Sequence, residues 1–116
     1  MDAQVKETID GQVRDNRVML YMKGSPNFPQ CGFSGQVIQI LNSYGTPYES
    51  CNVLDDMTIR EGIKSYSDWP TIPQLYVDGQ FVGGCDIVTE MHQSGELKGL
   101  LLPQGEAGPA ATGPAS

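Results

Sequence analysis

Hydrophobic and polar positions follow two different periods along this chain, and the changes of period mark its elements. From residue 3 to about 15, Val5, Ile9 and Val13 recur every fourth position among charged neighbours, the spacing of a short amphipathic helix. "RVMLYM" (17–22) is a compact apolar run between Asn16 and Lys23-Gly24, which predicts a buried strand. Two prolines in "SPNFPQ" exclude both helix and central strand there. After Cys31, the residues Val37, Ile38, Leu41 and Tyr44 share one helical face, ended by Gly45 and the Thr46-Pro47 step. "YESCNVL" (48–54) predicts a second strand. Asp55-Asp56 then supplies a cap and favourable charge for a helix from 57 to about 66, with Ile59, Ile63 and Tyr66 facing inward.

The stretch "TIPQLYVDGQFVGG" (71–84) is the clearest local signal: two β-rich runs flank Asp78-Gly79, which suits a type I′ hairpin turn. Asp86 is the expected N-cap of a helix running to about Ser94, and "GELKGLL" adds a last short helical piece. The predicted order is therefore α-β-α-β-α-β-β-α. Its first two strands run parallel through a right-handed crossover, and its last two form an antiparallel hairpin. The simplest packing is an α/β domain with a mixed four-stranded sheet and helices on both faces, the thioredoxin-like order. One domain is expected over residues 1–102. The remainder, "PQGEAGPAATGPAS" (103–116), lacks periodicity and predicts a disordered C-terminal tail.

Composition narrows the function classes. A net charge of -7 with seven Lys and Arg argues against a nucleic-acid surface, which needs dense positive charge. No apolar run approaches the ~20 residues of a membrane span, and "MDAQVKETIDGQVRDN" lacks the apolar centre of a signal peptide. Three widely spaced cysteines do not read as a secreted disulfide framework, so a reducing cytoplasm is the expected compartment. The cysteines and His92 show no C-x₂-C or H-x₃-H pairing of a structural zinc site. His92, on a polar stretch, reads as a solvated position. Cys51 reads as a small buried residue within its strand.

Cys31 carries the candidate chemistry. It falls where the Pro-rich loop ends and a helix begins, so free backbone N–H groups and the helix dipole favour thiolate over thiol, and Lys23 adds positive charge. In "CGFS", Ser34 stands one turn further along, where a hydroxyl can donate a hydrogen bond to the sulfur but cannot resolve a mixed disulfide. An inert core cysteine is the competing reading, but it would need none of the flanking Lys, Gly and Pro residues.

"MKGSPNFPQCGFS" and "WPTIPQLYVDGQFVGGCDI" together strongly resemble the monothiol, CGFS-type glutaredoxins of the single-domain bacterial kind, over residues 2 to about 102. The resemblance implies that Cys31 ligates a [2Fe–2S] cluster. Such a cluster takes four thiolates, and one active-site cysteine per chain leaves three to find. In the family a second chain and two glutathione molecules provide them, so the resemblance implies a homodimer when cluster-bound. It also implies that Lys23 and Arg60 face the glycine carboxylate of glutathione and that the Ile72 peptide, before a cis Pro73, pairs with its cysteine backbone. Cys85 and Asp86 would take the γ-glutamyl end. Implied partners are a BolA-like protein and apo iron–sulfur proteins.

The leading expectation is thus a cytoplasmic cluster carrier with weak thiol-exchange activity. The alternative is a glutathione-dependent monothiol oxidoreductase acting on glutathionylated substrates, for which one protein thiol suffices. A third is an interaction module in which Cys31 matters little. Cys85 is also a possible disulfide partner of Cys31. Phe33 is expected to be half-exposed beside the thiol.

Overall fold

A computed structural model describes residues 2–102; the predicted tail, 103–116, lies outside the described residues. The chain runs α1 (Ala3–Asp15), β1 (Val18–Met22), α2 (Gly32–Tyr44), β2 (Glu49–Asn52), α3 (Met57–Ser67), β3 (Gln74–Val77), β4 (Gln80–Gly83), α4 (Cys85–Ser94) and α5 (Glu96–Leu101). The four strands form one sheet in the order β2-β1-β3-β4. β1 pairs with β2 in parallel, Leu20 opposite Ser50, and with β3 antiparallel, Leu20 opposite Leu75. This is the thioredoxin-like arrangement, with helices on both faces.

The run that predicted a buried strand is central, and its side chains part to the two faces with the period of two that a strand imposes. Val18, Leu20 and Met22 join Val37, Ile38 and Leu41 of α2, Val88 of α4 and Leu97 of α5 in one core. Met19 and Tyr21 join Ile9 and Val13 of α1, Ile59 and Ile63 of α3, and Tyr76 in the other. The hairpin turn has positive φ at both central residues, 54° at Asp78 and 79° at Gly79, the type I′ combination. The Asp78 N–H donates to the Arg17 carbonyl, and the Arg17 guanidinium pairs with the Asp78 carboxylate and donates to the carbonyls of Leu100 and Leu101. One arginine thereby ties the hairpin turn to the end of α5.

Asp56 caps α3 as expected, accepting from the N–H groups of Thr58 and Ile59. Asp86 does not cap α4: the N-cap lies two residues earlier, at Gly84, and Asp86 stands in the first turn of the helix. The reason is that β4 ends at Gly83, which leaves no room for a longer connection. His92 is exposed, but its Nδ1 lies 2.6 Å from the Tyr44 hydroxyl, linking α4 to α2 rather than standing free in water. Among the described residues no helix is long and apolar enough to cross a membrane.

α1 and α3 pack closely because α3 presents Gly62, where a Cβ would stand 2.3 Å from Cγ1 of Val5. Gly62→Val is therefore expected to cost about 1–3 kcal/mol by overpacking. Val5→Ala in the same chain should recover part of it. Urea unfolding of the single and double variants checks both expectations, and equal losses with and without Val5 would contradict this packing account.

Candidate functional site

Cys31 is the N-cap residue of α2, with extended backbone and no side-chain cap bond of the usual kind. Its carbonyl opens the helix by accepting the Gly35 N–H at 2.9 Å. Burial pushes the Cys31 thiol up, but the N–H groups of Ser34 and Phe33, the Ser34 hydroxyl and the Lys23 ammonium outweigh it and hold the thiol below its ordinary range. The other two cysteines are shifted the opposite way. Burial raises Cys51, helped by Asp56 and Asp55, and burial raises Cys85, helped by Asp86 and Cys31 and opposed by the Thr89 hydroxyl. All three thiols are free.

Ser34 is fully buried, and its Oγ accepts the Lys23 N–H at 3.1 Å. With that lone pair engaged, the hydroxyl proton is available to the sulfur. The loop between Lys23 and Cys31 folds back on itself: Ser25 and Phe28 exchange backbone hydrogen bonds, and the Gln30 N–H donates to the Lys23 carbonyl. Gly24 allows this turn, because its φ is +93° and a Cβ would meet the Phe28 carbonyl and the Gln30 nitrogen at 2.5 Å.

A cavity of about 460 Å³ opens beside the thiol, within the range of small-ligand sites. Lys23, Cys31, Arg60, Ile72, Cys85 and Asp86, the six residues singled out from sequence, all line it. Its cations come from the end of β1 (Lys23) and from α3 (Arg60, with Lys64 one turn on). The Ile72–Pro73 peptide is cis. The first turn of α4 closes the far side, its N-terminal N–H groups free of any side-chain cap. Arg60 is part-buried, and its Nε is a buried donor with no acceptor among the described residues.

The glutaredoxin family profile matches residues 18–82. A monothiol glutaredoxin of Synechocystis sp. is 55% identical over 101 residues, 87% of this chain and 94% of its own length. A chloroplastic monothiol glutaredoxin of Oryza sativa is 50% identical over 84% of this chain and 58% of its own, longer, length. This chain belongs to the monothiol glutaredoxins. The solution structure of reduced poplar apo GrxS14 superposes on the glutaredoxin with a TM-score of 0.73 at 54% identity, over 81% of this chain and 86% of that one.

Sequence reasoning missed one basic residue of the glutaredoxin site. Lys64 lines the cavity beside Arg60, and its i+4 spacing on the same helix was the signal available. Trp69, which the resemblance places next to the groove, does line the cavity and packs at a tilt against Phe81, ring centroids 5.8 Å apart. Phe33 is more exposed than expected, at 62%, and Cys51 is half-buried rather than buried.

The opposed shifts predict selectivity. A limiting amount of iodoacetamide near neutral pH should modify Cys31 well ahead of Cys51 and Cys85, as read by peptide mass mapping. Because the folded Cys31 value is depressed, its reactivity should persist below the ordinary thiol range and fall only as pH drops through the depressed value. Lys23→Gln and Ser34→Ala should each move that fall to higher pH.

Proposed function

We propose that this monothiol glutaredoxin is a cytoplasmic, single-domain protein of the bacterial kind that carries a [2Fe–2S] cluster as cargo and transfers it to apo-proteins. The observation that carries this reading is a lone, thiolate-favouring Cys31 with buried Ser34 in the place of a second thiol, beside a cation-lined cavity. Four thiolates hold such a cluster. Among the described residues no three His, Cys, Asp or Glu side chains gather to hold a metal, and the carrier reading takes the ligands beyond Cys31 from outside the chain. A second copy contributes its own Cys31, and two glutathione thiols complete the set. Dissociable small-molecule ligands suit a cargo that must be released.

The cavity fits glutathione. Lys23 and Arg60 receive the glycine carboxylate, and the unpartnered Arg60 Nε supports an acceptor there. The Ile72 main chain meets the cysteinyl portion. The γ-glutamyl end reaches Cys85 and Asp86, where the uncapped α4 N-terminus favours its carboxylate and the Asp86 side chain its ammonium. The exposed Phe28 and Phe33 near the thiol leave apolar surface for the second copy or for a BolA-like partner.

The depressed Cys31 thiol favours one second reading, a glutathione-dependent oxidoreductase. Cys31 Sγ would attack the glutathione sulfur of a glutathionylated protein, forming a Cys31–glutathione disulfide and releasing the protein thiolate. A second glutathione thiolate would then free Cys31 and leave as oxidised glutathione.

Anaerobic reconstitution with iron, sulfide and glutathione is expected to give a coloured species eluting as a dimer. Cys31→Ser should remain a colourless monomer, and turnover in a glutathione-coupled disulfide assay should stay near background. A colourless wild type with robust turnover would replace the carrier reading by the oxidoreductase.

A further inference from the structure

Gln74 is, with Ser34, one of two fully buried polar side chains among the described residues, and no part of the site chemistry above uses it. It opens β3 opposite Tyr21 of β1, so the sheet fixes the point from which its side chain departs. Its Nε2 donates to the carbonyls of Trp69 at 3.0 Å and Thr71 at 3.2 Å, and its Oε1 accepts the Tyr76 hydroxyl at 3.2 Å. Carbonyls can only accept, so the atom facing both of them is the nitrogen, and the orientation of the amide is settled. Both of its N–H groups are engaged.

The two carbonyls belong to the wall of the cavity. Trp69, Pro70, Thr71, Ile72 and Pro73 line it in unbroken succession. Among the described residues, 70–73 make no backbone-to-backbone hydrogen bond, and the two prolines have no N–H to give. Trp69, Pro70 and Thr71 are exposed, so water competes for the carbonyls that Gln74 holds. A stretch with so few main-chain bonds keeps its place through what grips it from inside. Held there, it seats against α4: a Cβ on Gly84 would stand 3.2 Å from the Pro73 carbonyl oxygen and 3.3 Å from Trp69 Nε1.

We propose that Gln74 is a positioning residue for the ligand cavity: its buried amide draws the Trp69 and Thr71 carbonyls inward and so sets the wall that a ligand meets at Thr71 and Ile72. The position needs an amide. A carboxylate has no donor for a carbonyl, and an apolar side chain of the same length leaves both carbonyls to turn outward to water. That the ligand is glutathione rests on the function proposed above; that Gln74 holds the wall does not.

Backbone amide order parameters from NMR relaxation test the hold, and titration with glutathione tests its consequence. Both are measured on the full chain as wild type, Gln74→Met and Ile9→Ala, the last a buried change on α1 outside the cavity that lowers stability without touching the wall. The Thr71 and Ile72 amides should show order parameters of about 0.85 in wild type and Ile9→Ala, and fall below about 0.6 in Gln74→Met. Glutathione should bind Gln74→Met roughly tenfold more weakly, the loss of one well-placed hydrogen bond. Ile9→Ala should bind it as wild type does, which separates the effect from lost stability. Order parameters already low in wild type, or unchanged in Gln74→Met, would overturn the proposal. So would equal glutathione binding by Gln74→Met and a wild type that binds it. A wild type that does not bind glutathione would count against the function proposed above, and the order parameters alone would then decide the role of Gln74. If Gln74→Met does not stay folded by circular dichroism, Gln74→Asn takes its place with the same readings, since the shorter amide does not span both carbonyls.

Discussion

The electrostatic bond between the Cys31 sulfur and the open end of α2 is the constraint around which the rest of the domain is arranged. Helices ordinarily begin with Ser, Thr, Asp or Asn, whose oxygen accepts an N–H of the first turn and contributes about 0.5–2 kcal/mol. α2 has no such cap and no acidic residue in its first turn. Its N–H groups are left for the sulfur, which they hold toward its charged form in place of the missing cap. The helix tolerates this because its other face is secured by Val37, Ile38 and Leu41 against Val18, Leu20 and Met22. Core packing thus frees the helix terminus for chemistry.

Ser34 shows why the second thiol of a dithiol site is absent. The residue is fully buried and works in two directions, accepting from Lys23 N–H and facing the sulfur. A thiol there would be a weak acceptor and a weak donor, and it would also attack a disulfide formed at Cys31. The hydroxyl performs both hydrogen-bonding tasks and excludes the redox one. Its burial removes competition from water, which is what makes a single neutral hydroxyl effective beside a thiolate.

Most of the fold was legible because it rests on local patterns. The β1 run, the Asp56 cap, the Asp78-Gly79 turn and the Gly45 stop are each decided within a few residues, and each stands where its local chemistry puts it. The position of Cys31 at a helix start was legible for the same reason. Features that depend on distant segments meeting were not. Asn52 looks like a strand-end asparagine until Gly24 arrives against it, and Asp86 looks like a cap until the abrupt end of β4 gives that role to Gly84. His92 finds Tyr44 only because α4 crosses α2. Resemblance, rather than periodicity, marked Arg60, Ile72 and Asp86 as neighbours of Cys31, since they come from α3, the β3 approach and α4.

The distribution of charge completes the physical picture. The chain carries a net charge of -7, yet its basic residues are not scattered evenly. Lys6, Arg14 and Arg17 pair with Asp10, Asp15 and Asp78 away from the site. Lys23, Arg60 and Lys64 gather at the cavity, where among the described residues neither Lys23 nor Arg60 has an acidic partner within 4.0 Å. Exposed pairs of the first kind contribute little stability. Their effect is to neutralise acidic groups elsewhere, while the cavity gathers three cations around the single carboxylate of Asp86. A thiolate at its rim would otherwise repel any anionic ligand entering beside it. Lys23, which also favours the Cys31 thiolate, and Arg60 offset that repulsion. They reach over a Debye length of about 8 Å at physiological salt, comparable to the dimensions of the cavity itself. Thiolate stabilisation and the positive lining of the cavity thus share one residue, Lys23, and depend on where it is held.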